Sequence, residues 1–251
     1  MWRSLHSVSR KQAFGTHLLL SGLALIAILI LVFLLWYPAP YHRIVSIWNL
    51  LSVLIVVDVI VGPLLTLVLF KPGKKGLAFD MICIAVLQTA ALAYGTTMIY
   101  LNRPYFQVFA VDRFNVVSVR DVDMSRLADP ALAAGFHLGP RLVYVELPTD
   151  PAASRQLLLE VFEGGPDVER RPDLFRPYRD HIDSVLARAR SLSELGDDPL
   201  DQSLVAEFLA EHDGVAGDYR YLPLVGGGGD VAQIISAETA EPVDTLFIDP
   251  W

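Results

Sequence analysis

The sequence predicts a membrane protein with three transmembrane α-helices, followed by an α+β domain whose sheet is mostly antiparallel. Three long apolar runs fill most of the first hundred residues, at 17–37, 44–70 and 77–100. An α-helix needs about 20 mainly apolar residues to cross the roughly 30 Å hydrocarbon core of a bilayer, and each run is long enough. Residues 101–251 instead alternate between strand-like and helix-like patterns, and their number suits one domain.

The first apolar run, 17–37, follows a basic tail, residues 1–16, as the apolar region of a signal peptide would. The run is too long for that apolar region, however, and no cleavage site with small residues follows it. We therefore expect the first run to be retained as a membrane helix.

The charges of the short connections predict how the three helices are oriented. The tail carries three Lys/Arg and no acid, and the link 71–76 carries three lysines, whereas the link 38–43 carries only Arg43. Cytoplasmic loops are enriched in Lys and Arg, so the tail and the lysine-rich link are expected in the cytoplasm. Residues 101–251 then lie across the membrane, which in a bacterial inner membrane means the periplasm.

The C-terminal region is strongly acidic. Residues 1–100 carry seven Lys/Arg and two Asp, whereas residues 101–251 carry 13 Arg, 26 Asp/Glu and no lysine. Nucleic-acid binding requires a cationic surface, so we expect the lipid bilayer and proteins as partners, but no nucleic acid. The single cysteine, Cys83, lies in the third apolar run. The outer domain therefore has to be stabilised by its core and not by disulfides.

Strands are predicted at both ends of the outer domain, with helices between them. Runs rich in β-branched and aromatic residues predict the strands, and Asp150-Pro151 is typical of a helix N-cap and first turn. This order is typical of an α+β domain with a mostly antiparallel sheet. The predicted strands are 105–111, 114–119, 141–147, 219–225, 231–236 and 245–248, and the predicted helices are 151–162, 177–192 and 201–212.

Asp58 is the most informative residue of the apolar runs. It lies near the middle of the second run, where an aspartate costs roughly 2.5–3.5 kcal/mol, so it has to face protein or water. Gln88 and Thr89 lie at the matching depth of the third run. We hypothesise a hydrogen bond between the side chains of Asp58 and Gln88. Two roles are open: a partner-binding or proton-linked group, and helix–helix adhesion worth about 1 kcal/mol.

Two further features concern how the second and third helices pack. Gly62 and Pro63 follow one turn after Asp58. Pro63 lacks an N–H and its ring clashes with the carbonyl of Val59, so a kink is predicted just past Asp58, either as an ordinary proline kink or as a hinge. Ala85, Thr89 and Ala93 form a stripe of small residues at four-residue spacing. Such a stripe permits close packing against the first two helices or against a foreign helix, and we expect the former.

Other motifs give weaker indications. Asp112 and Arg113 join two predicted strands and are a docking charge pair, a structural ion pair or simply a solvated turn. The glycines at 226–229 lack the spacing of a phosphate-binding loop and predict a hairpin turn. The six histidines do not fall at metal-ligand spacing, and the sequence contains no Gly-x-Ser-x-Gly motif. No catalytic residue, cofactor or metal site is predicted, and we expect the chain not to be an enzyme.

A set of short motifs along the chain forms a recognisable combination. The motifs are Trp36-Tyr37-Pro38-Ala39-Pro40, Asp58 with Gly62-Pro63-Leu64-Leu65-Thr66-Leu67, Lys71-Pro72-Gly73-Lys74-Lys75, Gln88 with Tyr94-Gly95, Arg103-Pro104, Val111-Asp112-Arg113-Phe114 and Pro250-Trp251. With these motifs the sequence resembles the TfpX/TfpZ family of type IV pilin accessory proteins. The resemblance covers most of the chain. It is strongest over residues 30–125 and over the last 35 residues, and it is weakest around 187–217.

The resemblance implies an accessory protein of the bacterial inner membrane that binds or chaperones its cognate type IV major pilin and promotes pilin accumulation or pilus assembly. The family has no established catalytic residues, so matching residues are candidates for structure and docking only. The candidates for an intramembrane contact are Asp58, Gln88, Thr89, Gly62 and Pro63, and those for docking near the membrane are Asp112 and Arg113.

Two other classes of function are open. A membrane-anchored periplasmic sensor or regulatory subunit would need a cytoplasmic output module, and the tail and the lysine-rich link are short. A membrane enzyme acting on pilin or lipid would need clustered polar residues near the outer interface, and the sequence offers no convincing set.

Overall fold

The computed structural model describes residues 8–135, 137–196 and 198–251, and the chain divides into two compact units. The first, the helical unit, comprises residues 1–38 and 47–102. The second, the sheet unit, comprises residues 39–46 and 103–251. The first seven residues of the predicted basic tail lie outside the described residues.

Among the described residues, three helices are long and apolar enough to cross a membrane: α1 (Arg10–Trp36), α2 (Trp48–Leu69) and α3 (Leu77–Leu101). Ser9 caps α1 by accepting the N–H of Gln12, whose side chain accepts the N–H of Ser9 in return. This capping box satisfies two of the N–H groups that every helix start leaves unpaired. The prediction of three membrane helices is confirmed, although α2 begins at Trp48 and not at residue 44.

The sheet unit contains one open and mostly antiparallel sheet, as predicted. Its strand order is β4-β3-β1-β2-β6-β7-β8, with β5 paired to β6. The β1–β3 and β2–β6 pairs are parallel and the other pairs are antiparallel. The β1–β3 pair can be parallel because β2 returns the chain to the starting end of β1, and residues 119–140 then connect β2 to β3 past that end of β1. The strands are β1 (Pro104–Ala110), β2 (Arg113–Ser118), β3 (Arg141–Val145), β4 (Phe175–Pro177), β5 (Arg190–Ser191), β6 (Tyr219–Val225), β7 (Val231–Ser236) and β8 (Pro242–Leu246).

Within residues 103–251, the described α-helices are α4 (Pro151–Phe162), α5 (Ile182–Leu186) and α6 (Pro199–Glu211), and a one-turn α-helix, Tyr41–Ile44, lies in the segment 39–46 of the same unit. Asp150 caps α4 by accepting the N–H of Ala153, and Asp198 caps α6 in the same way. Short 3₁₀ turns lie at Val119–Asp121, Met124–Arg126, Pro130–Ala133, Val168–Arg170, Pro172–Leu174, Tyr178–His181, Leu192–Glu194 and Ala216–Asp218.

The predicted helix 177–192 is wrong. Only α5 is α-helical in this stretch; a 3₁₀ turn precedes α5, and β5 follows it. Tyr178 is buried and donates its hydroxyl to the carbonyl of Ala240 at 2.7 Å, while β5 pairs with β6. These long-range contacts override the helical spacing of the apolar residues. Likewise, the last strand occupies 242–246 and not 245–248.

Aromatic side chains dominate the core of the sheet unit. Phe106, Phe109, Phe114 and Phe175 are fully buried. The rings of Phe109 and Phe114 meet edge to face at 5.4 Å, and those of Phe106 and Phe175 at 5.2 Å. Edge-to-face pairs add about 0.5–1.5 kcal/mol to the burial of the rings. The core supplies the cohesion that a disulfide provides in many secreted domains.

The link between α1 and α2, residues 39–46, folds as part of the sheet unit. Ile44 is 1% exposed and packs in the same cluster as Phe109 and Leu224. Tyr41 donates its hydroxyl to Gln107 Oε1 at 2.6 Å, and burial raises the pKa of Tyr41 above its ordinary value. The guanidinium of Arg43 lies 3.5 Å from the ring centroid of Phe247. The link therefore contributes a core residue, a hydrogen bond and a cation–π contact to this unit.

The glycines at 226–229 connect β6 to β7, so the predicted hairpin turn is confirmed, and they also contact the link. Gly228 donates its N–H to Ile44 O at 2.7 Å. A Cβ at Gly226 would lie 2.4 Å from Ile44 Cγ2 and 2.6 Å from Ile44 O. Glycine is needed here because the main chains approach too closely for any side chain.

Candidate functional site

Asp58 lies inside α2, in a stretch whose backbone is π-helical. The stretch is Val56–Val61, and Gly62 after it donates its N–H to Val57 O, five residues back. Pro63 has no N–H, so the helical hydrogen bonds are interrupted. Interruptions of this kind are frequent at functional sites. The structure thus places a π-helical irregularity around and just past Asp58, in the region where the kink is predicted.

Gln88 of α3 contacts α2 at the depth of Asp58. Its Nε2 donates to the main-chain carbonyl of Asp58 at 3.1 Å. We expected the two side chains to bond to each other, and this part of the hypothesis is wrong. In π-helical geometry the carbonyl of Asp58 would pair with the N–H of residue 63, which proline lacks, so Gln88 supplies the missing donor. Gly62 makes room for this amide, because a Cβ there would lie 1.8 Å from Gln88 Nε2.

The carboxyl group of Asp58 has a different environment. The residue is 5% exposed, and its Oδ2 atom is buried without a hydrogen-bond partner among the described residues. Asp58 lines a cavity of about 250 Å³ together with Ser21 of α1 and with Gln88 and Thr89 of α3. The Oδ2 atom therefore makes no hydrogen bond to α3, and Asp58 lines a cavity between the three helices.

The stripe of small residues on α3 does not pack against the other two helices as expected. Ala85, Thr89 and Ala93 are exposed, and the first two line the cavity. The close approach of α2 and α3 occurs instead at Gly95, where a Cβ would lie 3.1 Å from Leu54 Cδ1. Gly95 is six residues from Thr89 and therefore lies on a different face of α3. The close contact at Gly95 leaves the face that carries Ala85, Thr89 and Ala93 open.

His17 and Thr66 form a second polar contact, which the sequence analysis missed. His17 Nδ1 of α1 lies 2.5 Å from Thr66 Oγ1 of α2. Thr66 is two turns from Asp58, so both side chains lie on nearly the same face of α2. The signal available in the sequence was a histidine at the start of the first apolar run. Among the described residues, no group of three His, Cys, Asp or Glu side chains could hold a metal ion.

Asp112 and Arg113 lie at the hairpin between β1 and β2. Arg113 Nε donates to Asp112 Oδ1 at 2.8 Å, and this hydrogen bond holds the pKa of Asp112 below its ordinary value. The same guanidinium lies 4.4 Å from the ring centroid of Trp251. Val111 has a φ of +62°, which is strained for a β-branched residue, and its side chain is 54% exposed. The pair therefore has structural contacts within the sheet unit, next to an exposed and strained turn.

An exposed apolar face on α4 is a further feature that the sequence analysis missed. Leu158, Leu159 and Phe162 are 69%, 56% and 95% exposed, whereas Leu157 is the buried residue of the helix. The Glu160 carboxylate on α4 pairs with Arg171 at 2.6 Å, and this hydrogen bond lowers the pKa of Glu160. Clustered apolar side chains left in solvent commonly mark an interaction surface. The sequence could have indicated this surface, because the predicted helix 151–162 contains more apolar residues than one buried face requires.

The fold and these surfaces define a membrane protein with an additional sheet-containing unit. A family profile described as "Fimbrial assembly protein FimB" matches residues 6–46. "Fimbrial assembly protein, serogroup E1" of Dichelobacter nodosus is 31% identical over 184 residues, which cover 72% of this chain and 71% of that protein. The protein of serogroup I from the same organism is 32% identical over an equally long match.

A third relative, "Fimbrial assembly protein, serogroups C1 and C2" of Dichelobacter nodosus, is 39% identical over 115 residues, which are 45% of this chain and 88% of that protein. No solved structure matches the chain. With an identity of 31% over 71% of the serogroup E1 protein, the chain belongs to the fimbrial assembly protein family.

Proposed function

We propose that this chain is an accessory protein of the bacterial inner membrane, of the TfpX/TfpZ type, which binds its cognate type IV pilin and promotes pilin accumulation or pilus assembly. Membership of the fimbrial assembly protein family supports a role in assembling fimbriae. The proposed role is that of a binding protein and not of an enzyme. In this role the N-terminus lies in the cytoplasm and the sheet unit in the periplasm, as the lysine-rich link at 71–76 favours.

The observation that carries the proposal is the exposed apolar face of α4. Phe162 is 95% exposed, and Leu158 lies one turn before it on the same side of the helix. The sheet unit carries an excess of acidic over basic side chains, which disfavours approach to an anionic lipid surface. A protein surface that is apolar at its centre and not strongly acidic is therefore the best partner for this face. We assign it to the part of the pilin that lies outside the membrane.

The proposal is tested by copurification of the pilin with the full chain from membranes. Deleting residues 103–251 would be a poor test, because Ile44 of the link is part of the core of the sheet unit. The deletion would remove the rest of that core and leave Ile44 exposed. Point variants are cleaner: Leu158→Ser combined with Phe162→Ser should reduce pilin recovery and pilin level, since both side chains are exposed and their loss costs little stability.

A matched control is Leu200→Ser, which changes a 67% exposed leucine on another helix of the same unit. The control should leave pilin recovery unchanged. Equal recovery with the wild type, the double variant and the control would remove the α4 face from the proposal. A pilin level that does not depend on the presence of the chain would contradict the proposed function as a whole.

A second test addresses the orientation. Cysteines replace Lys75 in the lysine-rich link and Gly227 in the sheet unit, in a background with Cys83→Ala. A Cβ at Gly227 contacts nothing within 4 Å, so this change is tolerated. A membrane-impermeant maleimide added to spheroplasts should label the cysteine at 227 and not the one at 75. The opposite labelling would refute the orientation.

A further inference from the structure

A groove separates α1 from α3 along much of the helical unit. The two helices meet at one end, where Tyr37 Oη donates to the carbonyl of Ile99 at 2.9 Å and the rings of Trp36 and Tyr100 lie 5.1 Å apart. Beyond this contact, α1 and α3 pack mainly against α2. Two cavities, of about 250 and 430 Å³, lie between them.

The two cavities form one continuous groove, because they share the lining residues His17, Leu20 and Ala85. On α1 the lining extends from Ala13 to Leu25, which is about 18 Å at 1.5 Å per residue. The exposed small residues of α3 form its opposite wall and permit a close approach of main chains. The groove is therefore long enough for about three turns of another helix.

Some polar groups along the groove have hydrogen-bond partners and one does not. His17 contacts Thr66, and Gln88 binds the main-chain carbonyl of Asp58. The Oδ2 atom of Asp58, in contrast, is buried and has no hydrogen-bond partner among the described residues. A buried polar group without a hydrogen bond is costly, most of all at membrane depth. A donor entering the groove would remove this cost.

This requirement distinguishes the possible occupants. A lipid acyl chain could fill the apolar part of the groove, but it carries no donor. A helix with a hydroxyl, amide or amine at the right depth could satisfy Asp58 and pack against the small residues of α3 at the same time.

We propose that the groove between α1 and α3 binds one membrane helix of the fimbrial subunit, apolar over about three turns and carrying a hydrogen-bond donor at the depth of Asp58. This inference rests on the proposed function for the identity of the occupant. The α4 face and the groove are then two separate contacts, so that one can be lost while the other is kept.

The test is site-specific photocrosslinking with the full chain in membranes. A photoreactive residue replaces Thr89 or Ser21, which line the groove, or Leu87 or Leu23, which are exposed elsewhere on the same helices and serve as matched controls. The expected result is a pilin adduct at the first two positions and little at the controls. Equal adducts at all four positions, adducts only with a second copy of the chain, or no adduct would each overturn the groove assignment.

The role of Asp58 is tested in the same experiment. Asp58→Leu should reduce the pilin adduct at position 89 about tenfold, the affinity equivalent of one hydrogen bond. Asp58→Asn keeps a carbonyl acceptor of the same shape and should retain most of the adduct. An unchanged adduct in Asp58→Leu would refute the donor requirement. The abundance of the chain itself shows that both variants fold.

Failure of the groove proposal and failure of the proposed function give different results. A photoreactive residue at Phe162 reports on the α4 face in parallel. An adduct at 162 together with normal pilin levels and no adduct at 21 or 89 would leave the proposed function standing and remove the groove. No pilin adduct at any position, with a pilin level independent of the chain, would remove both.

Discussion

The contact between the link 39–46 and the glycine run gives a sharp test of how the sheet unit is built. In Gly226→Ala, the new Cβ would lie 2.4 Å from Ile44 Cγ2 and 2.6 Å from Ile44 O, distances that no real Cβ contact shows. The link or the glycine turn has to move. Overpacking of this kind costs typically 1–3 kcal/mol, and losing the hydrogen bond from Gly228 adds about 1 kcal/mol.

A destabilisation of about 2–4 kcal/mol should make the link 39–46 detach more often from the rest of the sheet unit. Arg43 lies next to the buried Ile44 and is a trypsin site, so cleavage after Arg43 reports on local opening. When opening is fast compared with cleavage, the cleavage rate follows the opening equilibrium. Since 1.4 kcal/mol corresponds to a factor of ten, 2 kcal/mol predicts about a 30-fold faster cleavage of the full chain in detergent.

Gly227→Ala is the matched control for this experiment. A Cβ at this neighbouring position contacts nothing within 4 Å, so the cleavage rate should stay within a factor of about two of the wild type. Near-ultraviolet circular dichroism confirms that each variant is folded. Equal cleavage of Gly226→Ala and Gly227→Ala would refute the argument that the glycines are required by the link.

Three further predictions concern other parts of the chain. Gly62→Ala should displace the amide of Gln88 and destabilise the helical unit by about 0.6–2 kcal/mol. The measurement is the midpoint of thermal unfolding in detergent, which should fall. Gly22→Ala is the control and should leave the midpoint unchanged, because a Cβ at Gly22 meets nothing within 4 Å. Tyr178→Phe leaves the buried carbonyl that the hydroxyl binds without its donor and should cost about 1–3 kcal/mol in urea unfolding, with no change in m; an unchanged midpoint would contradict the role of that bond. The pKa of Asp112 is lowered in the folded state, so its ion pair stabilises the fold above the ordinary carboxyl pKa of about 3.9 and loses this effect as the pH falls further. The unfolding midpoints of wild type and Asp112→Asn should therefore differ at pH 6 and converge towards pH 3, and a difference independent of pH would count against this account.

Local chemistry made several elements predictable. The bounds of α4, β6 and β7 agree with the prediction because a proline after an aspartate N-cap starts the helix and because glycines end it and connect the two strands. The membrane helices were predictable for a similar reason, since a long apolar run is needed wherever the backbone crosses hydrocarbon.

The sequence by itself thus determined the three membrane helices, the acidic α+β unit with its mostly antiparallel sheet, and the position of one carboxylate within an apolar run. Only the tertiary structure decided that residues 39–46 belong to the sheet unit, that the stretch 177–192 is mostly not helical, and that Gln88 binds a main-chain carbonyl freed by Pro63. Caps, turns and apolar runs depend on residues adjacent in sequence, so they can be predicted from it. Three other features depend on which distant segments meet: the burial of Ile44, the open stripe at Ala85 and Thr89, and the Oδ2 atom of Asp58, which has no hydrogen-bond partner in the described part of the chain. Contacts between distant segments are set by the packing of the whole chain, and local sequence patterns do not predict them.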